Sequence, residues 1–546
     1  MSTQLEHITR GTMGMIFLIL VCYLLSNNRK AINWRLVGMG IFAQVMFAMG
    51  VLNTQIAGQP VFWILVGAIL LYTIVRKIRK RLPAPSSSFT RDISGILLVV
   101  LWQVIFFAGI IKKDFFPNHG LTVLISVVLI AFIVRLLNRK NIELVKWGIL
   151  ASAAILTVSV YTRLSSPDIF KSMLEGVSSA FVALINLSHN GTKFLFENLA
   201  DGSGSWGYIF AVQVLPNIIF FAALSSVLYY LGILQKIVYV FAYLLNKMNI
   251  SGAESVSTAA NIFLGQTEAP LMIRPYLDKL TRSEMLCIMV GGMANTAGSV
   301  LAAYVGFLGG GDEAQQNYFA LHMLSQSIMS APAAIVCSKI IFPQAEPQLV
   351  SKDLSVPKEK LGDNFLDALS LGTTDGLKLA VNVGAMLIVF TAMMWVINAL
   401  LGWVGDITQL NEQVKQFTDG RYPALSLNML LGYLFSPVAW LIGVAQTDMV
   451  AVGQLLGEKT VLNEFYAYTS LAEMKRSNMI TNPQSLLIVT YALCGFANFA
   501  SIGIQIGGIS QLAPSQRKNL TELGLKALIG GTIACLMCGC IAGMLV

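Results

Sequence analysis

Long uncharged stretches separated by short clusters of charge set the pattern of this chain. The runs 206–234, 285–308, 379–404, 484–511 and 527–546 each match or exceed the roughly 20 residues a helix needs to cross a hydrocarbon core. The N-terminal third reads as six spans, about 12–26, 35–53, 60–75, 93–111, 121–137 and 145–162. Cations cluster after every second one: Arg29, Lys30 and Arg35; Arg76, Lys77, Arg79, Lys80 and Arg81; Arg139, Lys140 and Lys146. The connections at 54–59 and 112–120 carry few cations, so positive-inside asymmetry places the N-terminus outside the cytoplasm. Spans near 206–232, 284–308, 316–342, 378–403, 484–510 and 524–546 bring the count to about twelve transmembrane helices. An even number returns the C-terminus to the same side. The expected class is an all-α polytopic membrane protein.

Three stretches break the pattern of plain spans. In 168–199, Phe170, Met173, Leu174, Val177, Phe181, Leu184 and Ile185 recur at helical spacing, with Lys171, Glu175, Ser178 and Asn186 opposite. That predicts an amphipathic helix lying in the membrane interface, or one packed on another subunit. Segments 252–281 and 424–470 are moderately apolar but interrupted by Gly, Pro and acidic residues. Such backbone is tolerated at membrane depth only where protein or a water-filled cavity surrounds it, so these read as two re-entrant helical hairpins. The polar stretch 344–363 is an exposed loop.

Composition narrows the function. Of 546 residues, 55% are hydrophobic and only 12% charged, about half the charge of soluble proteins. The net charge of +9 sits beside the apolar runs as anchors, and no basic soluble domain exists to hold nucleic acid. The seven cysteines, Cys22, Cys287, Cys337, Cys494, Cys535, Cys538 and Cys540, lie mostly inside apolar runs and form no disulfide framework. The spacing of Cys535, Cys538 and Cys540 resembles a metal motif, but without a His or acidic neighbour these read as small core residues. The first apolar stretch, 13–25, lacks a convincing cleavage site and reads as a retained span. No sequence motif of a metalloprotease, serine hydrolase or phosphate-binding loop is present, so the chain is not expected to be an enzyme and no organic cofactor is implied.

The two interrupted segments share a repeat. Gln266-Thr267-Glu268 in the first matches Gln446-Thr447-Asp448 in the second. Each precedes an uncharged helix with a second shared string, Gly292-Met293-Ala294-Asn295-Thr296-Ala297-Gly298 and Gly495-Phe496-Ala497-Asn498-Phe499-Ala500-Ser501. An odd number of crossings between the units inverts the second relative to the first. Paired broken segments in inverted halves point to a transporter's solute site near the midplane. Acids in an apolar setting cost several kcal/mol and carry a functional expectation. Glu268 and Asp448 offer carboxylates suited to a sugar diol, and Gln266, Asn295 and Asn498 offer paired donors and acceptors suited to a base edge. The competing structural reading is that membrane Asn and Gln only join helices. It applies to each Asn alone more readily than to the duplicated set. Glu254 and Glu464 read equally well as structural groups.

The string Ala260-Asn261-Ile262-Phe263-Leu264-Gly265-Gln266-Thr267-Glu268-Ala269-Pro270 closely resembles the signature hairpin of the concentrative nucleoside transporters. So do Asn382-Val383-Gly384-Ala385-Met386-Leu387, Lys459-Thr460-Val461-Leu462-Asn463-Glu464-Phe465 and Cys494-Gly495-Phe496-Ala497-Asn498. The likeness covers 13–53 and 168 to the C-terminus. It implies a homotrimer in the cell (inner) membrane, importing nucleosides by an elevator-like motion coupled to sodium or protons. By the same resemblance, 1–53 holds the first two spans, as scaffold, and 54–167 is an inserted four-span segment without a counterpart. The interfacial helix covers 168–200, and 201–546 is the transport core with inverted units at 252–342 and 424–546. The implied nucleobase contacts are Gln266, Thr267 and Glu268, with Val300 lining the site and Phe496 beside it. Asn498 and Ser501 hold the ribose. The family's ribose-binding acid falls on Asp448, with Ala445-Gln446-Thr447 before it in place of the usual Pro-Trp-Asn. The sodium positions map to Asn261, Leu264, Asn295 and Thr296, with Asn295 where Ser is common. None of the four histidines (His7, His119, His189, His322) lies where a proton relay is expected. A carrier of free nucleobases, an intramembrane enzyme and a channel are the rival readings.

Overall fold

The computed structural model describes residues 2–52, 166–201, 209–346 and 362–545. Of the insertion expected at 54–167, residues 54–165, with the four spans expected there, lie outside the described residues. Numbering only the α-helices of eight residues or more, the order is α1 (Ser2–Leu24), α2 (Trp34–Leu52), α3 (Ser166–Phe196), α4 (Leu215–Tyr230), α5 (Ile233–Asn246), α6 (Gly252–Asn261), α7 (Arg282–Ala294), α8 (Gly298–Gly309), α9 (Glu313–Ile341), α10 (Phe365–Ile407), α11 (Leu410–Phe417), α12 (Leu427–Leu441), α13 (Met449–Val461), α14 (Glu464–Arg476), α15 (Pro483–Leu493), α16 (Phe499–Leu512) and α17 (Arg517–Leu545). No strand occurs among the described residues.

Residues 1–45 and 177–546 form one compact unit, which contains the site; 46–176 form a second. The second contributes to the described residues only the end of α2 and the beginning of α3.

Two apolar stretches expected as single spans are each broken. The first divides into α7 and α8 at Asn295–Ala297, where Asn295 is extended (φ −108°, ψ 164°). The second divides into α15 and α16 at 494–498, where Gly495 takes φ +119° and Asn498 is extended. Both breaks follow from sequence. Asn side chains compete with helical hydrogen bonding, and Gly495 supplies a backbone shape that costs other residues dearly.

The two breaks cross. A Cβ at Gly495 would stand 2.7 Å from the Ala294 carbonyl oxygen. Gln326 of α9 satisfies both frayed ends, donating from Nε2 to Ala294 O at 3.3 Å and to Cys494 O at 3.1 Å. Cys535 Sγ of α17 donates to Cys494 O at 2.9 Å. Polar groups freed at membrane depth are therefore paired by buried neighbours, as the absence of water requires.

Small residues bring other helices together. Gly372 and Gly376 of α10 leave room for Ser226, Ala223 and Ala222 of α4, with ideal Cβ positions only 2.5–2.8 Å from those atoms. Gly453 and Gly457 of α13 do the same against Gly432 and Leu431 of α12, closing the second hairpin. This is the close approach that small residues four apart permit in membranes. Helix α1 packs chiefly on α17, and also on α9 and α12.

Two expectations change. Helix α3 is long, as expected, but the face it buries is only one edge of the apolar stripe, with Leu174 and Ile185 buried and Phe181 against Phe221, joined by hydroxyl side chains. Ser178, Val182, Ile185, Ser188 and Thr192 are buried, with Ser188 Oγ donating to Asn217 Oδ1 of α4 at 2.9 Å. Met173 and Val177 of the stripe are 66% and 56% exposed. In lipid, small and hydroxyl side chains make the better helix contact, and apolar ones lose nothing by facing outward. Helix α5, which was not expected, buries Leu234, Val238, Ala242 and Leu245 while Val240 and Leu244 face out.

Candidate functional site

Helix α6 begins with a capping box, Ser251 accepting from Glu254 N and Glu254 Oε2 from Ser251 N. It ends at Asn261, and the chain turns through Gly265–Glu268 at the hairpin tip. Gly298 N, at the start of α8, donates to Phe263 O at 3.1 Å, which fastens the tip to the first broken helix. Thr267 seats against Gly508 of α16, where an added Cβ would lie 2.7 Å from Thr267 Cγ2. Gln266 Nε2 donates to Ser501 Oγ of α16 at 3.1 Å. The first hairpin thus meets the second broken helix directly.

The other half of the site is organised by Asn498. Its Oδ1 caps α16 by accepting from Ser501 N at 2.8 Å, and its Nδ2 donates to Glu464 Oε2 at 2.7 Å. Glu464 sits at the first position of α14, after the Asn463 cap that accepts from Tyr466 N. Its position next to the cap lets it benefit from the positive end of α14. Beneath it, Tyr304 of α8 stacks on Tyr468 at 4.2 Å and meets Phe465 edge-on at 5.2 Å. Val300, Phe496, Asn498 and Ser501 are all buried.

Several groups here have hydrogen-bonding capacity left over. Gln266 Oε1 is buried with no partner. Glu268 is exposed, with Gly265 N donating to its Oε2 at 3.2 Å. Both are acceptors, of the kind that suits a molecule bringing N–H donors. Glu464 already takes one donor, and a carboxylate can accept several, so it suits a vicinal diol.

Asp448 lies elsewhere in the network. Its Oδ1 accepts from Thr481 N at 3.3 Å, Thr481 Oγ1 at 3.2 Å and Thr447 Oγ1 at 3.2 Å, and its Oδ2 from Asn482 N at 3.0 Å. It is 1% exposed and ties the second hairpin tip to the chain entering α15. None of these bonds reaches Asn498 or Ser501. The acid that meets Asn498 is Glu464, which the sequence alone left as an even choice between structure and function. The signal available for it was the string Asn463-Glu464-Phe465.

The four cation positions are not equivalent. Asn261 is 1% exposed, and both amide atoms of its side chain lack a partner. A buried unpaired amide costs about 1–3 kcal/mol, and an oxygen-seeking cation at Oδ1 would relieve half of it. Asn295 by contrast has a partner at each amide atom, with Oδ1 accepting from Ser330 Oγ at 2.6 Å and Nδ2 donating to Gly291 O at 3.2 Å. Thr296 Oγ1 lies 3.3 Å from Cys494 Sγ. Leu264 is buried at the hairpin tip, where only its backbone carbonyl can serve. Among the described residues no cluster of three His, Cys, Asp or Glu side chains suits a transition metal.

Comparison with known proteins gives a consistent result. Three family profiles match, described as Na+ dependent nucleoside transporter N-terminus (residues 13–73), nucleoside recognition (211–311) and Na+ dependent nucleoside transporter C-terminus (322–543). The nucleoside permease NupC of Helicobacter pylori is 36% identical over 424 residues, covering 76% of this chain and 96% of that one. The sodium/nucleoside cotransporter 1 of Rattus norvegicus is 39% identical over 376 residues, covering 66% of this chain and 54% of the longer rat protein. Among solved structures, CNTnw in an inward-facing substrate-bound state aligns with a TM-score of 0.70 at 29% identity, covering 99% of this chain and 98% of CNTnw.

Proposed function

Because the chain belongs to the concentrative nucleoside transporter family, we propose that it is a secondary active symporter that imports nucleosides down an inward sodium gradient. The observation that carries this reading is the pairing of two unlike surfaces across one site. Gln266 Oε1 and Glu268 present acceptors to a base edge, while Glu464, Asn498 and Ser501 present the acceptors and donors a ribose needs. The helix α16 start, with its Asn498 cap, adds a positive dipole end near the sugar. Sodium binds at Asn261 Oδ1 with the backbone carbonyls of Leu264 and Thr296, and Asn295 holds the end of α7 in place. A bound cation there rigidifies the first hairpin and so orders Gln266, Thr267 and Glu268, which couples ion to solute.

The movement is of the elevator type. Solved states of CNTnw described as inward-facing, outward-facing and intermediate support it for this fold. The outward apolar faces of α3 and α10 serve lipid and the contacts of a homotrimer. The protein resides in the cell (inner) membrane with both termini outside the cytoplasm.

The test is uptake of labelled uridine and adenosine into proteoliposomes under an inward sodium gradient, a proton gradient, or neither. Accumulation with sodium alone is expected. Accumulation with protons alone removes sodium from the mechanism, and no uptake of either solute by folded protein removes nucleosides.

A further inference from the structure

The second hairpin buries a carboxyl group that the solute site does not use. Glu458 of α13 is 0% exposed. Its Oε1 accepts from Gln454 Nε2 at 2.7 Å and from Asn428 Nδ2 of α12 at 3.5 Å. Oε2 is buried without a well-formed hydrogen bond, and the Ser470 hydroxyl of α14 stands beside it.

Among the described residues no Lys, Arg or His forms an ion pair with Glu458. The adjacent Lys459 turns away and donates to Ala492 O at 2.9 Å. Among the described helices, α12, α14 and α15 pack on α13. Neither α12 nor α15 carries a charged residue. Helix α14 brings Glu473 and the Tyr466 phenol to the surroundings of Glu458. Arg421, next to Tyr422, donates to Thr447 O at 3.2 Å. A buried carboxylate without a cation is expensive, and a proton removes that cost.

The surroundings accommodate either charge state. Ser470 can donate to an ionised Oε2, or accept from a protonated one after its hydroxyl rotates. Gln454 Oε1 accepts from the Tyr422 hydroxyl at 2.9 Å, and Tyr422 follows the exposed turn 419–421. The polar chain Glu458–Gln454–Tyr422 therefore runs from the buried carboxyl towards the surface. On the other side Asn398 Nδ2 of α10 donates to Asn428 Oδ1 at 3.2 Å, and Asn398 Oδ1 accepts from Leu427 N at 2.8 Å. The amide of Asn428 thus links Glu458 to the contact between the hairpin and α10.

We propose that Glu458 is a proton-binding site within the second hairpin, and that its occupancy makes transport depend on pH through Asn428 and α10. The site is separate from the sodium and solute positions, so it adds a second ion to the cycle instead of replacing the first. The test begins with infrared difference spectra of the purified full chain, titrated between about pH 5 and about pH 9, the interval in which buried carboxyls titrate. The expected result is a protonated-carboxyl band that Glu458→Gln removes. The Glu458→Gln variant should also flatten the pH profile of sodium-driven uridine uptake and leave its sodium requirement intact. Gln454→Met, which deletes the 2.7 Å donor, should move the midpoint of the band towards higher pH. A spectrum unchanged by Glu458→Gln, or a midpoint unmoved by Gln454→Met, overturns the proposal. The spectra need no transport, so a failure of uridine uptake in the parent protein would count against the transport reading and leave the proton site standing.

Discussion

The side-chain amide of Asn498 donates to Glu464 Oε2 at 2.7 Å while its own oxygen caps α16 through Ser501 N. One side chain therefore fixes the start of a broken helix and the position of an acid on another helix of the same unit, α14. Glu464→Gln keeps the shape but turns one acceptor into a donor that faces the Asn498 amide. The expected loss of about 2–3 kcal/mol appears as a fall of roughly a hundredfold in uptake efficiency for ribonucleosides, with less effect on free nucleobases. Equal losses for nucleosides and nucleobases would separate Glu464 from the sugar.

Glu268 sits exposed at the first hairpin tip, restrained mainly by Gly265 N. Glu268→Gln should abolish nucleoside uptake with no fall in thermal stability, because the carboxylate contributes little to the fold. Normal uptake at native expression would remove it from the site.

Asp448 collects four donors from Thr447, Thr481 and Asn482, so its role in this structure is to join the hairpin tip to the entry of α15. Asp448→Asn should cost about 1–2 kcal/mol of stability, seen as a lower melting temperature of the detergent-solubilised protein, with KM for uridine unchanged. A raised KM at unchanged stability would instead place Asp448 against the solute, as the sequence first suggested.

Gly495 has φ +119°, and a Cβ there would meet the Ala294 carbonyl oxygen at 2.7 Å. Gly495→Ala should destabilise the protein by roughly 2–4 kcal/mol, because neither the backbone shape nor the crossing of the two broken helices can relax cheaply. Thermal unfolding monitored by size-exclusion chromatography measures this, and a variant as stable as the parent would contradict the crossing geometry.

Asn261 and Asn295 should differ when each is changed. Asn261→Leu fills the unpaired amide's place with an apolar group and should eliminate sodium stimulation of uptake while preserving the fold. Asn295→Ala breaks the 2.6 Å bond from Ser330 and should lower stability more than it changes the sodium requirement. Sodium titrations of uptake, with melting temperatures alongside, decide between them, and the reverse ranking would return the ion to Asn295.

The hydrophobic pattern by itself determined that the chain is helical and crosses the membrane, because helix length against bilayer thickness is a local property. The repeated strings located the two hairpin units and singled out Gln266, Thr267, Glu268 and Asn498 by residue type and duplication, while Ser501 came only through the family resemblance. Other features depended on the partner of each side chain, which adjacent sequence does not state. Nothing near Asp448 shows that Thr481 and Asn482, over thirty positions later, would supply its donors, nor that Asn498 would choose Glu464. The charge-free strings 285–308 and 484–510 read as continuous spans because the cost of breaking them is met by Gln326 and Cys535 on other helices. Helix α3 turned its serines inward for the same kind of reason. In lipid, apolar periodicity alone does not fix which edge of the stripe is buried, and close packing with a hydrogen bond to α4 decides it.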